Sequence, residues 1–292
     1  MSSFAVCLLI VSTFMHAAWN VLVRRRGGVA ACIWRMQVAV VVAGAIPALA
    51  ALLATRCLTS TALLCLLGSG LSCGFYYVFL GRGYESADFT TVYPVARSLP
   101  VLLVALGDTL RGRPPTTAGW LGMALVALGC LLVPLESFRR VDWRIYFRRS
   151  SVWILLTALG TVGYSLFDKL GTESIARGPM PAAVYGYVFF VTAALSYWAL
   201  QRLLGARGRV SREVGWKTPA LAGLLGFLAY WLVLWAYQFT AQASYVVAFR
   251  QFSIVIGVVL GLVVFRETGR TVRLVGSVVI TAGLVLLTVW GG

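Results

Sequence analysis

The chain has 292 residues, 60% of them hydrophobic and 12% charged, with a formal net charge of +16. Soluble domains are about 45–50% apolar and about 25% charged, so this chain lacks the polar residues to cover a water-facing surface of its size. Its basic residues sit in short loops between apolar stretches, the pattern of membrane flanks, which excludes a nucleic-acid-binding face.

Apolar stretches of about 20 residues match the hydrocarbon core at 1.5 Å of rise per helical residue. Runs such as 38–53 and 254–264 are too continuous for alternating barrel strands, so the chain reads as an all-α polytopic membrane protein. Ten spans are predicted, at about 3–23, 30–54, 60–80, 87–107, 117–135, 151–168, 181–200, 218–238, 243–264 and 272–290. The first has no basic stretch before it, its first charges being Arg24, Arg25 and Arg26, so it reads as a retained helix rather than a cleaved signal.

Span one carries the single histidine, His16, with Ser12 and Asn20 one turn away on either side. An imidazole there could relay a coupling proton or contact a substrate, or it could be a neutral side chain satisfied by a neighbouring helix. Span three offers Tyr76 and Tyr77 as cavity candidates, and the pair Gly70 and Gly74 for close helix packing. In span four Arg97 sits about ten residues into an apolar helix, with Tyr93 one turn before it and Pro94 and Pro100 on either side. The prolines could open or kink the helix around the charge.

Span five carries Gly122 and Gly129 on one face, and the long basic loop 136–149 follows. Span eight shows Trp231, Trp235 and Gln238 at i, i+4, i+7, which suits either a mixed aromatic and polar cavity wall or packing between helices. Span nine carries Arg250 about seven residues in, and the pair Gly257 and Gly261.

Five spans precede the basic loop and five follow it. Gly112–Arg113 stands nine residues before Gly122, and Arg266–Glu267 stands nine before Gly276. Upstream, Arg97 to Pro100 lines up with Arg250 to Ser253 with one residue of slippage. The chain thus divides into two five-helix repeats, 1–140 and 141–292. Repeats with an odd number of crossings must be inverted relative to each other, and transporters of this build place their site between the halves near the midplane. Odd-numbered loops hold 17 Lys and Arg against five in even-numbered loops, which predicts both termini outside the cytoplasm.

Three stretches carry a family likeness: Met15-His16-Ala17-Ala18-Trp19-Asn20, then Tyr93-Pro94-Val95-Ala96-Arg97-Ser98-Leu99-Pro100, then Phe249-Arg250-Gln251-Phe252-Ser253 continuing to Phe265-Arg266-Glu267. With their order and spacing, the chain resembles the drug/metabolite transporter superfamily, in the branch with two EamA-like halves. The resemblance implies a ten-helix carrier of small metabolites in the inner (plasma) membrane, often an exporter of amino acids or related compounds. A narrower likeness to sequences associated with phosphonate use bears on the substrate. It also implies cytoplasmic termini, opposite to the charge count. The chain departs from the family where Arg113 replaces the glutamate expected in the first half.

A charge inside a membrane helix costs from about 2.5 to 17 kcal/mol and normally faces a bundle interior or cavity. Arg97 and Arg250 occupy related places in opposed halves, so they could converge on one anion, their planar forks suiting a carboxylate, phosphate or phosphonate. Alternatively each pairs with helix-end carbonyls or with Glu85, Asp88 or Asp168, or snorkels to an interface. The expected substrate contacts are Arg97, Arg250, Tyr93, Tyr76, Trp231, Trp235, Gln238 and His16. The expected function is secondary transport of a small acidic or zwitterionic molecule by alternating access.

A proton-coupled cationic-drug antiporter would need an embedded carboxylate. All nine acids are read at span ends or in loops, with Asp168 nearest to being embedded. A membrane enzyme would show clustered acids or histidines, such as DxxxD or HxxxH, and a structural or signalling membrane protein is a further reading that no large extramembrane domain supports. The six cysteines form no CxxC pair and the chain has no P-loop, so no metal, cofactor or nucleotide is expected.

Overall fold

The structure is a computed structural model that describes residues 1–24, 29–86, 89–135, 137, 151–204, 215–263 and 270–291. Within that set the side chains of 24, 29–30, 84–86, 89–95, 151, 261, 263 and 270 are outside the description. The basic loop 138–150, residues 205–214 and the Phe265–Glu267 motif therefore lie outside the described residues.

The described residues form helices α1 (Ser3–Arg24), α2 (Val29–Thr55), α3 (Ser60–Ser86), α4 (Phe89–Leu110), α5 (Thr117–Leu132), α6 (Ser151–Glu173), α7 (Pro179–Leu203), α8 (Lys217–Tyr237), α9 (Ala243–Arg250), α10 (Phe252–Val263) and α11 (Arg270–Trp290). No strand occurs among them. Seven stretches are long and apolar enough to cross a membrane: α1, α2, α3, α7, α8, the run Ala243–Leu260 and α11. Helix α5 is apolar but has only 16 residues. The outward side of α2 shows what such helices present to lipid, with Ile46 83% and Val42 70% exposed.

The ninth predicted span is two helices, not one. At Gln251 the backbone makes a turn, its N–H bonding to Ala248 O at 3.0 Å while Ile254 N bonds to Gln251 O at 2.8 Å. The Arg250 carbonyl receives Ser253 Oγ at 2.8 Å and Arg97 Nη2 at 3.1 Å. Arg97 Nε also donates to Gln251 Oε1 at 2.9 Å. A helix can break in an apolar interior only where its released polar groups find partners. Arg97 supplies them from α4. That helix itself runs unbroken through Pro94 and Pro100, so the prolines do not open it.

Helix α1 packs chiefly on α8, α3 on α6 and α7, and α5 on α11, so the closest partners lie across the two halves. The α5–α11 contact is close enough to require glycine. A Cβ on Gly122 would lie 2.7 Å from Gly283 O, and one on Gly129 would lie 2.6 Å from Gly276 O. These pairings run in opposite sequence directions, so the two helices are antiparallel. Gly70 and Gly74 meet Thr192 and Ser196 of α7 in the same way, whereas Gly257 faces open space.

Candidate functional site

Where α1, α2, α3, α6, α7, α8 and α9 converge, their side chains line a cavity of about 40 Å³. That volume holds about three waters. Its walls are mainly aromatic, with Tyr76, Tyr77, Tyr164, Phe189 and Tyr230 prominent, and its polar groups include His16 and Arg250. Two larger cavities, of about 440 and 380 Å³, are apolar and open on the outer side of the bundle.

Arg250 ends α9 and is 8% exposed. Its guanidinium carbon lies 5.6 Å from the Tyr164 ring centre and 5.4 Å from that of Tyr230, and Nη2 donates to the Tyr164 hydroxyl at 3.2 Å. Nε and Nη1 are buried and have no hydrogen-bond partner among the described residues. No described carboxylate lies within ion-pair distance of it. A buried cation left with two unmade bonds is costly, and the residue that carries it lines the cavity.

His16 is 4% exposed and lines the same cavity. Its Nδ1 lies 3.0 Å from Ser12 O and 3.1 Å from Ser12 Oγ, which in turn donates to Ala229 O of α8 at 2.7 Å. Asn20 Nδ2 donates to His16 O at 2.6 Å. The ring is thus set by its own helix and by α8, with its body on the cavity wall.

The eight residues singled out from sequence separate. His16, Tyr76 and Arg250 line the cavity. Arg97 does not; it holds the α9–α10 turn. The stripe on α8 is real but faces elsewhere. Trp231 and Trp235 stack with ring centres 6.2 Å apart, Trp235 meets Phe4 edge-on at 5.1 Å, and Trp231 Nε1 donates to Pro179 O at 2.7 Å. Gln238 holds the α6–α7 turn, accepting from Gly178 N at 3.0 Å and donating to Ala176 O at 3.2 Å. The Tyr93 side chain lies outside the described residues.

Not every acid is peripheral. Asp168 is 0% exposed, because α6 continues to Glu173 instead of ending at 168. It accepts from Tyr185 Oη at 3.1 Å and from Tyr230 Oη, so it sits behind the Tyr230 ring on which Arg250 rests. Asp108 is also 0% exposed and receives Ala243 N at 3.1 Å and Ser244 N at 2.8 Å, capping α9 from α4. Sequence reasoning missed Tyr164 as a wall residue. Setting His16-x-x-x-Asn20 beside Tyr164-x-x-x-Asp168, which have the same spacing, would have found both it and the buried acid.

Residues 3–135 match the EamA-like transporter family, in agreement with the likeness carried by the motifs in α1 and α4. A solved protein structure superposes with a TM-score of 0.69 over 100% of this chain and 98% of its own length, at 18% identity. At that identity the likeness is one of fold. The search of curated proteins finds no similar sequence.

Proposed function

We propose that this multi-pass membrane protein, EamA-like over its first half, is a secondary carrier of a small anionic or zwitterionic metabolite. The observation that carries the proposal is the Arg250 guanidinium, buried in the central cavity with Nε and Nη1 unbonded. An acid entering the cavity would take up free donors of this guanidinium in charge-assisted bonds, while the tyrosine faces would hold its apolar part. Amino acids, organic acids and phosphonates share that chemistry, and export is the direction the resemblance implies. His16, which also lines the cavity, is the candidate for proton coupling in this reading.

Ten crossings built as inverted repeats, 1–140 and 141–292, fit the packing. Gly122 stands to Gly276 as Gly129 stands to Gly283 in the repeat, and the observed contacts, Gly122 with Gly283 and Gly129 with Gly276, exchange into each other. Equivalent helices that pair antiparallel are related by an axis perpendicular to them, hence in the membrane plane. The cavity lining draws on both proposed halves, with His16, Met36 and Tyr76 from the first and Tyr164, Phe189 and Tyr230 from the second. Ligand sites commonly need about 300 Å³ or more, so a cavity of about 40 Å³ would have to widen to take a metabolite.

The buried Asp168 favours a second reading, a cationic-drug antiporter. Against it, both carboxyl oxygens are occupied by tyrosines and Asp168 is not on the cavity wall. Thermal stabilisation of the purified protein by a panel of amino acids, organic acids, phosphonates and cationic dyes separates the two, since a ligand of the folded state raises its melting temperature. Acids should stabilise; stabilisation by dyes alone would reject the anion carrier.

A further inference from the structure

At one face of the bundle five charged residues join the ends of four helices. Both termini lie on this face, because Thr116 Oγ1 donates to Gly291 O at 3.1 Å and the Phe4 ring meets that of Phe239 at 5.1 Å. Glu173, at the end of α6, is the hub. Its Oε2 receives Arg111 Nη2 at 2.8 Å, and its Oε1 receives Arg113 Nη1 and Lys169 Nζ, each at 3.0 Å. Arg111 reaches on to Asp108 Oδ1 at 3.1 Å, and Asp108 caps the first turn of α9. Lys169, 1% exposed, donates to Tyr237 O at 2.7 Å and to Thr240 O, closing the end of α8.

Arg250 stands at the other end of α9, an eight-residue helix of about 12 Å at 1.5 Å per residue. The charged cluster therefore lies one short helix above the cavity. We propose that Asp108, Arg111, Arg113, Lys169 and Glu173 form an ionic lock that closes the cavity on the face carrying both termini, with Glu173 as its keystone. The inference rests on the carrier reading and deepens it by naming the closed gate.

The distribution of burial makes the lock openable. Asp108 and Lys169 are fixed to backbone groups and have no access to water, whereas the Arg113 side chain is 49% exposed and that of Glu173 26%. Exposed ion pairs exchange partners with water at little cost. Opening would thus proceed by Glu173 leaving the two arginines, which frees the α4–α5 turn from the end of α6. Three cations then surround the mouth, a field that draws an acidic solute toward Arg250.

A native thiol reports the state of the gate. Cys73 lines the cavity and is 3% exposed. With Cys7, Cys32, Cys57, Cys65 and Cys130 replaced by alanine, its reaction with a membrane-impermeant maleimide is followed in vesicles of both orientations. A separate Ser2→Cys variant identifies the face that carries the termini. Glu173→Gln weakens three charge-assisted bonds and leaves three like charges together, so labelling from that face should accelerate about tenfold or more.

A second variant, Arg113→Cys with Glu173→Cys, is joined by a bifunctional thiol reagent. Cys73 should react quickly before cross-linking and slowly after it. An unchanged rate in Glu173→Gln, an equal rise from both faces, or indifference to the cross-link overturns the lock. Should Glu173→Gln fail to fold, the cross-linked pair decides alone. No substrate enters these measurements, so the lock can fail while anion binding at Arg250 stands, and the reverse.

Discussion

Replacing Arg250 with methionine should weaken acid binding and leave the empty protein at least as stable. The side chain gives up one charge-assisted bond to Tyr164 Oη and two contacts over the Tyr164 and Tyr230 rings. The bond is worth about 1.5–3 kcal/mol, and each ring contact about 1 kcal/mol. On the other side, burying the charge costs at least about 2.5 kcal/mol. The two unbonded nitrogens add about 1–3 kcal/mol each. The second set is larger, so the melting temperature of the ligand-free variant should hold or rise. Affinity for an acid that stabilises the wild type should fall about 10- to 150-fold, the equivalent of one charge-assisted bond. Arg250→Lys should recover part of it, because lysine keeps the charge and loses the planar fork. Thermal unfolding with and without ligand measures both effects. A variant that unfolds well below the wild type yet binds acid normally would show that Arg250 serves the fold and not the ligand.

Arg97→Leu should move stability the other way, by about 1–3 kcal/mol of loss, since the α9–α10 turn loses its bonds to Gln251 Oε1 and Arg250 O; a melting temperature equal to wild type would refute that role. Gly129→Ala places a Cβ 2.6 Å from both Gly276 O and Ile280 Cγ1 and should cost about 1–3 kcal/mol in thermal unfolding. Gly257→Ala, with nothing within 4 Å, is the matched control and should be neutral or slightly stabilising; equal losses in the two would show that close approach is not the reason for Gly129. Reporter fusions at the C-terminus should place it outside the cytoplasm, as the 17-to-five charge split requires, and a cytoplasmic signal would show that the loop charges mislead.

The helices were legible in the sequence because lipid imposes a length, and each predicted span coincides with a helix or, at span nine, with two. The break at Gln251 was not legible, because 243–264 contains no proline and its polar group Arg250, Gln251 and Ser253 is equally compatible with a continuous helix. Its cause sits on another helix, in the guanidinium of Arg97. The end of span six was misplaced for a related reason: Asp168 and Lys169 looked like the start of a loop, yet α6 carries both, one held by two tyrosines and the other by carbonyls of Tyr237 and Thr240. Periodicity found the Trp231, Trp235 and Gln238 stripe correctly as one face. It could not say which neighbour that face meets, and the answer is Phe4 and the α6–α7 turn rather than the cavity.

The two intramembrane arginines look equivalent in sequence and are not equivalent in space. The one-residue slippage between Arg97 and Arg250 amounts to about 100° around a helix, enough to turn one side chain from the cavity to a helix junction. Arg97 spends its donors on the Arg250 carbonyl and on Gln251, which fixes the end of α9. Arg250, on the helix end so fixed, lines the cavity and keeps Nε and Nη1 unbonded. One arginine therefore stabilises the unusual backbone from which the other projects. Asp108 holds the opposite end of α9, so this short helix is tied at its first turn to the ionic cluster and at its last to α4. A movement at the charged face would reach Arg250 along eight residues of helix, which would join the proposed opening of the mouth to the position of its guanidinium.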